Sequence, residues 1–145
     1  MVGGGFDCSN NKLTSLVGGP TKVGGHFYCS DNELTSLEGS PKEVVGSFNC
    51  SHNKLTTLEG GPKEVGYLYC YNNELTSLKG APKVGGSFDY YNNPLPTEIL
   101  YNHEYIKEIL YNQDIYSIWK ADGTLDLYRF NQMMAEILGE EDKDI

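Results

Sequence analysis

The sequence predicts an α/β repeat protein: a solenoid with short parallel β-strands, a largely non-helical convex side and a C-terminal α-helical cap. Three observations carry this prediction. A block of 20 to 21 residues recurs five times in register over residues 1–95 of the 145-residue chain. The period vanishes after Leu95, where apolar residues take up helical spacing instead. Of the 17 glycines, 15 fall within residues 1–95, at recurring places just before a strand or on the return side of each repeat. Fixed-period self-similarity marks units that bury their apolar faces by stacking on one another. The organisation is therefore five repeats over 1–95 and a helical segment over 96–145.

The columns of the repeat are explicit. GFDCSNNKLTSLVGGP returns as HFYCSDNELTSLEGSP, SFNCSHNKLTTLEGGP and YLYCYNNELTSLKGAP, then degrades to SFDYYNNPLP. Cys8, Cys29, Cys50 and Cys70 hold one column, which Tyr90 continues. Asn11, Asn32, Asn53, Asn73 and Asn93 keep the same step, as do Leu13, Leu34, Leu55, Leu75 and Leu95. In each F-x-C triplet the outer residues face one way and the middle one the other, as a strand requires. The asparagine column falls where the strand ends, suited to satisfying backbone groups freed by the bend. Gly and Pro on the return path fit an extended or turning segment without room for a helix.

The period and the order of columns match the leucine-rich-repeat pattern L-x-x-L-x-L-x-x-N-x-L. Laid on Asn53 the pattern reads Val45, Phe48, Cys50, Asn53 and Leu55; on Asn73 it reads Val65, Leu68, Cys70, Asn73 and Leu75. The first column is irregular, with Gly3, Gly24 and Gly85 in it and a valine one residue earlier.

In the tail, Tyr105, Ile106, Ile109 and Leu110 have helical spacing with Asn102 as the expected N-cap. Phe130, Met133, Met134 and Ile137 define a second helix, and Ile115, Ile118 and Trp119 suggest a short one between them. These faces would close the last coil against water. The stretch ADGTLDLYRF imitates half of a calcium loop, but the aligned ligand positions hold Ile118, Lys120 and Arg129. Calcium needs oxygen there. Asp122-Gly123 is read as a turn, with Thr124 capping the following helix.

Charge and composition narrow the function. Acidic residues outnumber basic ones 20 to 11, the wrong balance for a phosphate-binding surface, so nucleic acid is not an expected partner. No apolar run reaches the roughly 18 to 20 residues of a membrane span, so no membrane association is expected. No secretory signal is visible at MVGGGFDCSN. The cysteines lie a whole coil apart and face inward, which suits neither zinc nor a disulfide. They read as reduced, small hydrophobes in a reducing, cytoplasmic setting. His26 and His52 occupy different columns, and the serines Ser9, Ser30 and Ser51 lack a base at matched spacing. No cofactor, no metal site and no enzyme is expected.

The residues the repeat does not fix are then the informative ones. The outward positions are the residue before Phe, the middle of F-x-C, and the two after Cys. They read Gly5, Asp7, Ser9, Asn10; His26, Tyr28, Ser30, Asp31; Ser47, Asn49, Ser51, His52; Tyr67, Tyr69, Tyr71, Asn72; Ser87, Asp89, Tyr91, Asn92. Five of 11 tyrosines share this face, four of them in the last two coils. Tyrosine buries much area at little entropic cost and keeps a polar tip, so the face predicts a protein-recognition module. The candidate contact residues are His26, Tyr28, Asn49, His52, Tyr67, Tyr69, Tyr71, Asn72 and Tyr91. The same rings also fit plain stacking along a sheet face or packing beneath the helices. At the other end Met1 leads straight into the first repeat, which predicts an open coil around Phe6, Cys8 and Leu13. A second copy or a partner would cover it, or the chain derives from a longer repeat protein.

The phrase C-S-x-N-x-L-T-S-L-E-G-x-P-K-E-V-G resembles short leucine-rich-repeat proteins encoded by large tailed bacteriophages. Residues 2–95 carry the likeness, and NNPLPTEIL…YSIWKADGTLDLYRF is similar to the C-terminal segment of the same group. The resemblance implies a phage protein acting in the cytoplasm of an infected bacterium. It further implies a host protein as target, with inhibition of a host enzyme or defence factor as the outcome. The alternative reading is a structural, self-assembling phage protein; a small-molecule sensor would need a deep pocket that a thin stack seldom provides.

Overall fold

Each F-x-C triplet supplies a strand just long enough to pair with the next coil. The computed structural model describes residues 1–139. It has nine short strands: β1 (Phe6–Asp7), β2 (Lys22–Val23), β3 (Phe27–Tyr28), β4 (Glu43–Val44), β5 (Ser47–Asn49), β6 (Glu64–Val65), β7 (Tyr67–Tyr69), β8 (Lys83–Val84) and β9 (Phe88–Asp89). The odd-numbered strands form one five-stranded parallel sheet in chain order, so the chain is a parallel β-solenoid of about four turns. Register keeps like on like: Phe6 faces Phe27, Phe27 faces Phe48, Phe48 faces Leu68, and Leu68 faces Phe88. The Phe6, Phe27 and Phe48 rings stack at 5.6 and 5.5 Å. Phe27 and Phe48 are fully buried, and each such burial contributes about 2–3 kcal/mol.

The return segments are extended and carry no helix, and they pair in two short parallel ladders, β2 with β4 and β6 with β8. The core column here is Val23, Val44, Val65 and Val84. This corrects the expected first column: Val44 is buried, while Val45 is 72% exposed. The cause is a change of length. Val44 stands four residues before Phe48, but Val65 stands three before Leu68. Val45 is the surplus residue and turns outward. The same mismatch separates the two ladders, where the amides of Gly66 and Tyr67 both turn to Gly46 O, at 3.0 and 3.5 Å.

The asparagine column binds coil to coil. Asn53 Nδ2 donates to Cys29 O, Cys50 O and Ser51 O at 3.1, 3.1 and 3.2 Å, and its Oδ1 accepts from Leu34 N at 3.0 Å. Asn32, Asn73 and Asn93 repeat the pattern one coil away. Every carbonyl that the strand leaves behind at the bend therefore finds a donor.

After Leu95 the chain becomes helical: α1 (Thr97–Tyr101), a 3₁₀ turn (His103–Tyr105), α2 (Ile106–Asn112) and α3 (Leu127–Ile137). As expected, Ile106, Ile109, Leu110, Phe130, Met133 and Met134 point into the core, continuous with the coils. Gln113, 1% exposed, ties this segment to the fourth coil by donating from Nε2 to Leu78 O at 2.8 Å, and its Oε1 accepts from Trp119 Nε1 at 2.8 Å.

Three local expectations are corrected. Asn102 precedes the 3₁₀ turn that leads into α2 but does not cap it with its side chain; it ends α1, its Nδ2 donating back to Glu98 O at 2.8 Å. The apolar trio Ile115, Ile118 and Trp119 forms no helix. Ser117 takes φ 50°, Trp119 makes an antiparallel bridge with Leu125, and Ile115 is left 68% exposed. Thr124 does not cap α3, because its amide and hydroxyl both donate to Asp122 Oδ1 at 3.0 and 2.6 Å. Asp126 is the N-cap, accepting from Arg129 N at 3.1 Å. The last six residues of the predicted 96–145 unit lie outside the described residues.

Candidate interaction face

Strand alternation puts one residue of every F-x-C triplet on the surface, and the bend after Cys adds more. The second residue after Cys is always left-handed: Asn10, Asp31, His52, Asn72 and Asn92 have φ between 54° and 60°. Asn and Asp tolerate this conformation best, which explains four members of the column. His52 is the departure.

The structure divides the nine sequence-predicted residues into two groups. His26 and Tyr28 form a pair in the second coil, with rings parallel at 5.7 Å. His26 Nδ1 accepts from Ser47 N at 2.8 Å, which leaves its proton on Nε2. The larger group spans the third to fifth coils. Tyr71 lies between its neighbours, with the His52 ring edge-on at 5.4 Å and the Tyr91 ring at 4.7 Å. Beside the rings runs an amide chain. Asn92 Nδ2 donates to Asn72 Oδ1 at 2.6 Å, and Asn72 Nδ2 lies 3.0 Å from His52 Nε2. Tyr69 is half-buried between Asn49 and Asp89 in register. Tyr67, 44% exposed, lies over Gly86, where a side chain would collide with its ring. Asn49 is committed within its own coil, its Oδ1 accepting from both the amide and the hydroxyl of Ser51 at 3.0 and 2.6 Å.

The serine ladder is used structurally, with Ser30 Oγ donating to Ser9 Oγ at 3.1 Å. Asp89 and Asn92 are members of the face that the candidate set omitted. Asn92 is a link in the amide chain, and Asp89 raises the Tyr91 phenol, an effect second to desolvation. The Asn/Asp-rich column after Cys is the signal that finds Asn92. The return side carries a broad open cleft of about 1490 Å³ over β4, β6 and the Glu59–Gly61 turn and, between β8 and α2, a smaller one of about 300 Å³ lined by Lys83, Val84, Lys107, Glu108, Tyr111 and Asn112. Its cations are already engaged, Lys83 4.6 Å from the Tyr111 ring centroid and Lys107 donating to Gly85 O at 3.2 Å.

The cysteines lie beneath the face, all free, with Cys29, Cys50 and Cys70 fully buried and Cys8 half-buried. Burial pushes all four thiols up, Cys29, Cys50 and Cys70 most strongly, so they are protonated at neutral pH. A thiol reagent at about pH 8 is expected to titrate at most one cysteine per chain, Cys8, in the native protein and all four in denaturant. Rapid labelling of a second thiol without denaturant would contradict the buried column.

Searches of protein-family models, curated proteins and solved structures each returned no match.

Proposed function

We propose that this chain is a non-enzymatic recognition module of the leucine-rich-repeat type, which binds a protein through the strand face of its third to fifth coils. The observation that carries this reading is the contiguous cluster of His52, Tyr71, Tyr91 and Asn72, flanked by Tyr67 and Tyr69. Aromatic rings already held by one another lose little further freedom when a partner covers them. In this reading the C-terminal helices cap the last coil, and the repeated columns hold the face rigid. The assignment of the partner to a bacterial host, and of the chain to a phage acting in the host cytoplasm, rests on the resemblance of residues 2–95 alone. So does inhibition of a host enzyme or defence factor.

The test is paired affinity capture from bacterial lysate with the wild type and a Tyr69→Ala/Tyr71→Ala bait. A protein retained by the first is expected to be lost by the second and kept by a Val45→Ser bait altered on the return side. The double variant should still fold, losing about 1–2 kcal/mol with the Tyr71–Tyr91 and Tyr71–His52 contacts. Retention that is indifferent to the tyrosines would overturn the reading. Recovery of the chain's own copies alone, with light-scattering masses at multiples of 16.1 kDa, would favour self-assembly through Phe6, Cys8 and Leu13 of the first coil, which are half-exposed.

A further inference from the structure

The twenty strand-face positions, of which Ser47 and Ser51 are buried, carry three carboxylates, Asp7, Asp31 and Asp89, and neither lysine nor arginine. The neighbouring column, Lys12, Glu33, Lys54, Glu74 and Pro94, does not offset this where the tyrosines cluster. Lys54 is paired with Glu33 at 3.7 Å, and the equivalent positions of the fourth and fifth coils are Glu74 and Pro94. Asp89 differs from its counterparts in the same column. Asp7 and Asn49 each spend an oxygen on the amide two residues on, Ser9 N at 2.9 Å and Ser51 N at 3.0 Å. Among the described residues no hydrogen bond or ion pair reaches the Asp89 carboxylate, although it is half-buried. By register it sits beside Tyr69, and Tyr91 follows two residues later on the same face, packed on Tyr71 at 4.7 Å. One uncommitted carboxylate beside a cluster of tyrosines is the chemistry that receives a planar cation: bidentate contact to the oxygens and stacking on a ring.

We propose that the partner inserts an arginine side chain into the corner formed by Asp89, Tyr69, Tyr71 and Tyr91. This rests on the strand-face reading above and names the chemistry of the partner's contact. A guanidinium meets both halves of the site, whereas a neutral polar group would leave the carboxylate desolvated without compensation.

The test uses the full chain, ¹⁵N-labelled, titrated with the peptide acetyl-Gly-Arg-Gly-Arg-Gly-amide and with its citrulline isostere. Saturable amide shifts are expected at Tyr69–Asn72 and Asp89–Asn92 with the arginine peptide and none with citrulline. Asp89→Asn should weaken binding about fivefold or more; Asp31→Asn, on the same face two to three coils away, should leave it unchanged. Equal shifts with citrulline, undiminished binding to the Asp89→Asn variant, or shifts spread over the return-side glutamates would each overturn the proposal. If these fail while the Tyr69→Ala/Tyr71→Ala bait still loses its partner, the strand face stands and only the arginine falls. If the double variant also keeps its partner, both fall.

Discussion

Replacing Asn53 by alanine is expected to cost about 2–3 kcal/mol, well above a conventional surface change. The side chain is 8% exposed and closes four hydrogen bonds across two coils. Its removal orphans Leu34 N, whereas Cys29 O and Cys50 O each lose one of two side-chain donors and keep Asn32 Nδ2 at 3.1 Å and Asn73 Nδ2 at 3.0 Å. The orphaned amide costs about 1–3 kcal/mol and the loss of a second bond at each carbonyl adds to it, while the short alanine side chain makes no compensating contact. The first coil provides the control. Asn11 is exposed, and its side chain donates only to Cys8 O and Ser9 O of its own coil. Asn11→Ala should cost under about 1 kcal/mol. Urea unfolding of the two variants measures the difference, and equal midpoints would show that the ladder does not hold the coils together.

Asn53→Asp sharpens the same point through pH. The aspartate keeps the shape but replaces the donating amide with an acceptor facing the carbonyls of Cys29 and Cys50. Only the protonated acid can donate to them, so its folded pKa must rise above the unfolded value of about 3.9. A carboxyl raised on folding costs stability as pH rises, because the unfolded state ionises first. The variant should therefore be most stable below about pH 4 relative to wild type and lose stability above it.

These two sites also mark what was readable in the chain. The Phe, Cys, Asn and Leu columns were legible because each position has one physical demand, burial or backbone satisfaction, repeated five times. The valine column was not. One residue fewer between Val65 and Leu68 changes which member of Val44-Val45 faces inward, and spacing alone does not say where a coil absorbs the difference. The helix starts failed for a related reason. Asn102 and Thr124 are both good capping residues, but Asn102 bonds back to Glu98 O and Thr124 to Asp122, so Asp126 serves α3. Ile115 fits a helical stripe by spacing, yet the left-handed Ser117 turns the chain before a stripe can form. On the face, alternation predicts which residues point outward. Which of them touch depends on register between coils, and the isolation of Asp89 depends on a bond that its neighbours make and it does not.

The second large effect is at the turn glycines, where the column contains its own control. Gly18, Gly39, Gly60 and Gly80 have φ of 92°, 85°, 92° and 80°. Gly39 stands third in a tight turn closed by Ser40 N donating to Leu37 O at 2.9 Å, the position where a positive φ favours glycine. Alanine at any of the four meets that conformational penalty, about 1–2 kcal/mol. What differs is the neighbouring coil. A Cβ on Gly18 meets nothing within 4 Å, whereas on Gly39 it would lie 2.5 Å from Val17 Cα and 2.6 Å from the Leu16 carbonyl carbon. On Gly80 it would lie 2.6 Å from Glu59 Cα, and on Gly60 it would be 3.3 Å from Glu38 N. Backbone cannot rotate aside as a side chain can, so the coils must separate, adding about 1–3 kcal/mol of overpacking. Gly39→Ala and Gly80→Ala are thus expected to cost about 3–4 kcal/mol, Gly18→Ala only the conformational part, and Gly60→Ala an intermediate amount. Thermal unfolding of the four single variants tests the order. If Gly18→Ala destabilised as much as Gly39→Ala, the cost would come from the turn alone, and the close approach of successive coils would not be what requires glycine there.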